Sequence, residues 1–115
     1  MDEIEMLKGI LNSYPYPIVF VDNNYVIRYM NRNAEYHYYE ERGYKNLIGK
    51  SLFDCHNNAQ SIEKIKMGYE GIKQNGKEVF VTITSRNQRV YMQGVKDYQG
   101  NWIGFIERFE LNLQK

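Results

Sequence analysis

The chain has 115 residues, enough for one hydrophobic core and too few for two. Its 15 basic and 14 acidic side chains leave a net charge of +1. A charge this close to zero does not attract nucleic acid or an anionic membrane surface. The single cysteine excludes an internal disulfide, which favours a reducing compartment. No apolar run approaches the roughly 20 residues of a membrane span, and the acidic start DEIEM is unlike a signal peptide. We therefore expect a cytoplasmic domain with no membrane contact.

The first predicted element is an amphipathic helix over residues 2–12. Asp2, with Glu5 three residues later, has the spacing of a capping box. The segment YPYP then ends the helix, because proline cannot continue it. The apolar side chains that share one stripe of this helix are Ile4, Leu7 and Leu11. This stripe must pack either on the domain's own sheet or on a second copy of the chain.

A hairpin and a series of short helical turns follow. IVFVD (18–22) is apolar and β-branched, which predicts a buried strand, and YVIRYMN (25–31) returns beside it after the turn residues Asn23-Asn24. The period of two then stops, and RNAEYHYYEERGY predicts helical turns that end at Gly43. A further short turn is predicted at LFD.

A long helix and three strands complete the chain. The helix is predicted to begin at an asparagine cap, Asn57 or Asn58, and to end at Asn75-Gly76. Its buried face consists of Ile62, Ile65, Tyr69 and Ile72. The strands are predicted at 78–84, 89–97 and 101–111. Two strands, a helical middle and three strands predict an α+β fold, in which helices cover one face of a five-stranded antiparallel sheet.

The order of these elements, together with four motifs, resembles a PAS domain. The motifs are PYPIVFVDNNYVIRYMNRNAE, GYKNLIGKSLFD, NGKEVFV and VKDYQGNWIGFIE. The resemblance implies an N-terminal amphipathic cap helix over 1–13, the PAS domain itself over 14–112, and the start of an onward linker at 113–115. If the chain is part of a longer protein, the linker would lead to a downstream effector domain.

The resemblance also implies a sensory module with no catalysis of its own. Such a module cups a small apolar or aromatic ligand, forms a homodimer and signals to a downstream effector domain. The residues predicted to line the ligand cavity are Phe53, Tyr69, Phe80, Thr82, Val90, Met92 and Ile106. The residues predicted to form the dimer interface are Ile4, Leu7, Leu11, Val79, Val81 and Ile83. A shift of one residue in strand register would exchange the inner and outer faces.

The segment LFDCHN leaves several interpretations open for the neighbouring Cys55 and His56. Imidazole and thiolate are both axial haem ligands, so the pair is a candidate haem site for redox or gas sensing. CHNNAQSIEKI also resembles a Cys-His stretch of PAS domains from a clostridial-type, haemerythrin-associated family. In a second interpretation Cys55 is a nucleophile and His56 its base, but no third group orients the base.

The third interpretation of LFDCHN is structural. Leu52 and Phe53 would then fill the core, Cys55 would act as a small buried hydrophobe, and an asparagine would cap the next helix. The function expected under this interpretation is binding of another small ligand, or dimerisation alone with a filled core.

Flavin and zinc fit the sequence poorly. Flavin-binding relatives carry their cysteine three residues after the glycine of the IG pair, a position that is Leu52 here. Their last-strand glutamine would fall near Ile106, so the resemblance disfavours a flavin photosensor. A zinc site would need two more ligands, and only His37 and scattered carboxylates remain. We therefore predict no metal site and no catalytic residue.

Overall fold

The computed structural model describes residues 1–55 and 58–113, in which five strands form one antiparallel sheet. The strands are β1 (Ile18–Asp22), β2 (Ile27–Met30), β3 (Val79–Ile83), β4 (Gln88–Lys96) and β5 (Trp102–Leu111). Their order across the sheet is β2-β1-β5-β4-β3, so the first strand of the chain pairs with the last. The predicted α+β fold is confirmed.

Of the helical elements, one precedes the sheet, and the others connect its two edge strands, β2 and β3, across one face, which we call the inner face. They are α1 (Glu3–Ser13) before the sheet, then α2 (Arg32–Glu35), a π-helix (Tyr36–Glu41), a 3₁₀ turn (Leu52–Asp54) and α3 (Ala59–Asn75). The N-caps are those expected: Asp2 accepts from the N–H of Glu5, and Asn58 accepts from the first turn of α3. Within the described part of the chain, no helix has the length and apolar character needed to cross a membrane.

The side chain of Asn31 joins three segments at the start of the sheet. It is fully buried, and its Oδ1 accepts hydrogen bonds from the N–H groups of Ile18 (3.0 Å) and Ala34 (2.9 Å). Its Nδ2 donates to the carbonyls of Leu11 (3.2 Å) and Tyr16 (3.0 Å). One amide therefore fixes the end of α1, the beginning of β1 and the N-terminus of α2.

The long helix α3 packs on the inner face more closely at one end than at the other. Near its C-terminus it contacts β4 at Gly94, where a Cβ would lie 2.6 Å from Cγ2 of Ile72 and 2.4 Å from the Trp102 ring. Only glycine permits this approach. The N-terminal half of α3 instead faces a cavity, which it lines with Ile65 and Lys64.

The register of β3 differs from the prediction by one residue. Phe80 pairs with Tyr91 and is 44% exposed, so it lies on the outer face and not in the cavity. Val79 pairs with Met92, and both Val79 and Val81 pack against the core, not at the predicted outer face. The strand is apolar on both faces, so its sequence does not mark the inner side. A bulge between Phe80 and Thr82 then lets Thr82 also face the cavity.

The inner and outer faces of β5 also differ from the prediction by one residue. Phe105, Glu107 and Phe109 are buried on the inner face, whereas Ile106 between them pairs with the exposed Gln93. The predicted inward orientation of Ile106 is therefore wrong. The consequence is that a carboxyl group, and not an isoleucine, points into the domain from β5.

We predict that Asn31→Ala lowers the free energy of unfolding by about 3 kcal/mol, because it removes a helix cap and leaves buried backbone groups without their partner. Asn58→Ala is the matched control: it removes the exposed cap of α3 and should cost about 1 kcal/mol. Urea denaturation of the two variants and the wild type measures both values. Equal losses for both variants would contradict the central role of Asn31.

Candidate functional site

The candidate site is a cavity of about 280 Å³ between the inner face of the sheet and the helical side of the domain. The π-helix and the residue after it contribute His37, Tyr38 and Arg42, and α3 contributes Ser61, Lys64 and Ile65. The sheet side consists of Val81, Thr82, Thr84, Val90, Met92, Glu107 and Phe109. The walls combine apolar side chains with several polar and charged groups, which could fix the orientation of a small molecule.

Local sequence explains how α3 and the π-helix reach the cavity. Ser61, Lys64 and Ile65 have the spacing of one helical face, so they point to the same side of α3. The π-helix widens the turn after α2, and such segments are frequent at functional sites. It buries both His37 and Tyr38, whose rings meet edge to face with centroids 4.8 Å apart.

Glu107 is the most unusual residue of the cavity. Its side chain is buried on β5, and burial raises the pKa of its carboxyl from 4.5 to about 7, although the positive charge of Arg42 acts in the opposite direction. With a pKa of about 7 the carboxyl is about half protonated at pH 7, and its protonated form can donate a hydrogen bond as well as accept one. The sequence prediction missed Glu107. The signal was available in FIERF, because buried phenylalanines two residues before and after it place it on the same face.

Polar contacts close the rim of the cavity on two sides. Glu41 accepts a hydrogen bond from Arg86 (2.6 Å), which joins the π-helix to the turn between β3 and β4, and its other oxygen lies 3.3 Å from Nδ1 of His37. Lys64 Nζ donates to the carbonyl of Val81 (2.6 Å) and so joins α3 to β3. Burial lowers the pKa of His37, although its contact with Glu41 acts in the opposite direction. The lowered pKa keeps the imidazole mainly neutral near pH 7.

The structure assigns a packing role to the described part of LFDCHN. Leu52 is buried, and Phe53 stacks against Tyr25 with ring centroids 5.2 Å apart. Cys55 Sγ donates to the carbonyl of Leu52 (3.2 Å), and burial raises the pKa of its thiol to about 11. His56, the second candidate haem ligand, lies outside the described residues.

The structure places the seven predicted cavity residues in three locations. Thr82, Val90 and Met92 line the cavity. Phe53 and Tyr69 belong to the core beside it, where Tyr69 donates a hydrogen bond to Asn23. The other two, Phe80 and Ile106, lie on the outer face as described above.

The predicted interface residues divide in a similar way. Ile4 is 64% exposed and Leu7 47% exposed on α1, Leu11 is half-buried, and Ile83 is exposed on β3. All of α1 is described, and none of its residues is buried. The helix therefore presents its apolar stripe to the surface. No group of three or more His, Cys, Asp or Glu side chains within the described ranges is arranged to hold a metal ion.

Comparison with known proteins places these features in a family. A family model described as a PAS domain matches residues 7–109. The C-terminal domain of a Streptococcus mutans protein is 23% identical with a TM-score of 0.71, over 93% of this chain and 83% of that one. A sensory box sensor histidine kinase from Vibrio cholerae is 14% identical with a TM-score of 0.61, over 92% and 86%. The PAS domain of the histidine kinase ThkA is 19% identical with a TM-score of 0.57, over 81% and 95%. At these identities the solved structures establish a shared fold, and no curated protein sequence matches.

We predict that Glu107 makes stability depend on pH. Because its pKa is about 7 in the folded state and 4.5 ordinarily, its contribution is complete below pH 4.5 and is lost as the pH rises to about 7. The loss should be about 3 kcal/mol across that window, at about 1.4 kcal/mol per pH unit. Urea denaturation at several pH values should show this loss in the wild type and in Glu63→Gln, an exposed control, but not in Glu107→Gln. The same pH profile in all three proteins would contradict the assignment.

Proposed function

The chain belongs to the PAS domain family, and from that premise we propose that it is a non-catalytic sensor domain that binds a small ligand in the cavity between α3 and the sheet. PAS domains are generally sensory modules of signalling proteins. We further propose that the domain acts as a homodimer in the cytoplasm, where its single cysteine stays reduced, and signals to a downstream effector domain.

The observation that carries the ligand proposal is the cavity itself. A half-open pocket of about 280 Å³ remains between helix and sheet, which is more space than one water molecule occupies. The cavity lies beside a π-helix, and its walls combine apolar side chains with Glu107, His37 and Thr82. A site of this size suits a ligand smaller than a typical drug molecule.

We expect 1-hexanol, a small neutral probe, to bind in this cavity. In ¹H–¹⁵N correlation spectra it should cause saturable shifts at amides around Ile65, Val90 and Phe109. Val90→Phe adds bulk inside the cavity and should abolish these shifts, whereas Ile48→Phe, a similar change at a half-exposed position, should leave them intact. Shifts that persist in Val90→Phe would place the probe outside this cavity, and the absence of saturable shifts in the wild type would favour the alternative of a ligand-free dimerisation module.

The exposed stripe of α1 supports the dimer. An isolated helix of 11 residues is marginal in water, and α1 has no buried side chain to stabilise it. Its exposed apolar residues are Ile4, Met6, Leu7 and Ile10. The outer face of the sheet adds Phe80 and Ile83, each more than 40% exposed. A second copy of the chain would remove both surfaces from water. Val79 and Val81 no longer belong to the proposed interface.

We predict that Leu7→Glu weakens the dimer at least tenfold, because burial of one leucine side chain is worth about 2 kcal/mol and a two-fold interface contains it twice. The control is Met67→Glu, which places the same charge on an exposed apolar position of α3. Sedimentation velocity over a range of concentrations measures the dissociation constants. Identical constants for wild type and Leu7→Glu would place the interface elsewhere.

Cys55, the candidate haem ligand that the structure describes, does not fit that role. Cys55 is a buried thiol that donates to a carbonyl, and its raised pKa disfavours the thiolate that would bind iron. The cavity is also small for a porphyrin. We therefore expect no saturable Soret shift when haemin is titrated into the wild type. A shift that saturates at one haem per chain and is lost in His56→Ala would restore the haem sensor.

A further inference from the structure

A groove of about 340 Å³ lies on the surface between α1 and the elements β2 and α2. The cations Lys8, Arg28 and Arg32 border it, and we call it the cationic groove. Glu35 is the one carboxylate among its described lining residues. Ile48, which is 50% exposed, adds an apolar contact surface. The groove therefore complements a partner that presents acidic side chains beside apolar ones.

The second feature of the groove is unpaired positive charge. Within residues 1–55 and 58–113, neither Lys8 nor Arg32 forms an ion pair. Arg28 meets Asp22 at 3.4 Å, but its side chain remains 62% exposed. Asn12 Oδ1 accepts a hydrogen bond from the N–H of Arg32 (2.9 Å), which fixes the end of α1 against the start of α2. Lys8 lies one turn before Asn12, so this contact directs the Lys8 side of α1 toward the groove.

The complementary charge lies at the other end of the same helix. Glu3 and Glu5 are exposed in the first turn of α1, and neither forms an ion pair in the described part of the chain. Glu5 precedes Lys8 by three residues and Asn12 by seven, so these three share one flank of the helix. Glu3 lies on the other flank, with Ile10 seven residues later. One helix thus carries acid at its N-terminus and borders the cationic groove with its C-terminal half.

Charge distinguishes the two orientations in which a pair of α1 helices can be related by a two-fold axis. A parallel pair brings the two acidic first turns together, where like charges repel. In an antiparallel pair with its axis between Leu7 and Lys8, Ile4 of one copy meets Leu11 of the other, and equal flanks face each other. Glu5 of one copy then lies beside the part of the other α1 that borders the cationic groove. The opposed helix dipoles favour the same orientation.

We propose that two copies of the chain pair through α1 in antiparallel orientation, with the acidic first turn of each helix docked through Glu5 in the cationic groove of the other, beside Lys8 and Arg32. This inference rests on the proposed α1 dimer and specifies its orientation and polar contacts. Exposed ion pairs are individually weak, so the apolar stripe supplies most of the affinity and the charges select the orientation.

Charge exchange, measured by sedimentation velocity of the full chain, tests the docking. Glu5→Lys and Arg32→Glu should each weaken the dimer about tenfold, because each replaces an attraction by a repulsion twice per dimer. The double variant should dimerise more tightly than either single variant, whereas independent effects would multiply to a loss of about a hundredfold.

Two controls match these changes. Glu3→Lys places the same charge in the same helical turn but on the other flank. Lys77→Glu reverses an exposed cation just before β3, at the sheet edge opposite β2. Both variants should stay within about threefold of the wild-type dissociation constant.

Disulfide cross-linking in a Cys55→Ala background tests the orientation separately. An equimolar mixture of Ile4→Cys and Leu11→Cys proteins should form the mixed disulfide faster than either protein forms a disulfide with itself, because only the mixed pair is close in the antiparallel dimer. A parallel pair would give the reverse order.

The outcomes separate this docking from the dimer on which it rests. If Leu7→Glu weakens the dimer while charge exchange has no effect, or if the self-disulfides form first, the antiparallel docking is wrong and the α1 dimer stands. If Leu7→Glu has no effect, or if the wild type stays monomeric at every concentration, the α1 dimer fails and the docking fails with it. The cationic groove would then serve a partner other than a second copy of the chain.

Discussion

The fold depends on one buried amide, the side chain of Asn31. A buried amide can make several hydrogen bonds at once, and this one uses its oxygen for two backbone donors and its nitrogen for two backbone carbonyls. An apolar side chain would leave these backbone groups unsatisfied in the interior, and a charged one would have to be desolvated. The interaction fixes where β1 begins and where α2 begins. Because α2 continues into the π-helix, it also sets the position from which Tyr38 and His37 reach the cavity.

The cavity follows from unequal packing along α3. At Gly94 the Ile72 side chain of the helix packs directly on the backbone of β4, and toward Ser61 a cavity separates the helix from the sheet. The carboxyl of Glu107 occupies the wall of that space, although burial of an acid among apolar groups costs free energy. A buried acid departs from the local rules for a stable core, as residues of functional sites commonly do. The contacts of Glu41 and Lys64 at the rim hold the helices to the strands around the space.

Much of this architecture could be predicted from the sequence, because caps and turn residues act locally. Asp2, Asn31, Asn58 and Gly76 each end or begin a helix as their residue types require. The faces of β3 and β5 could not be predicted. EVFVTIT is apolar on both sides, and its orientation depends on its pairing with β4 and on a bulge, neither of which is encoded in the strand itself. Residue type was also a poor guide in the first hairpin turn. Asparagine tolerates the left-handed backbone better than tyrosine, yet Tyr25, and not Asn23 or Asn24, takes it, with φ of 61°. The cavity lining combines residues from five separate segments, so no single motif could reveal it.

The attachment of α1 gives the domain two levels of stability. The helix is held at its C-terminal end, where the Asn31 amide donates to the Leu11 carbonyl and the Tyr14 hydroxyl donates to the Phe109 carbonyl, while none of its own residues is fully buried. Its backbone can therefore unwind and re-form while the sheet stays intact. Amide hydrogens in α1 then exchange with solvent through this local opening, whereas those shared by β1 and β5 are released only when the whole domain unfolds. A segment that orders and disorders independently of the core responds to whatever covers it without requiring the rest of the fold to change.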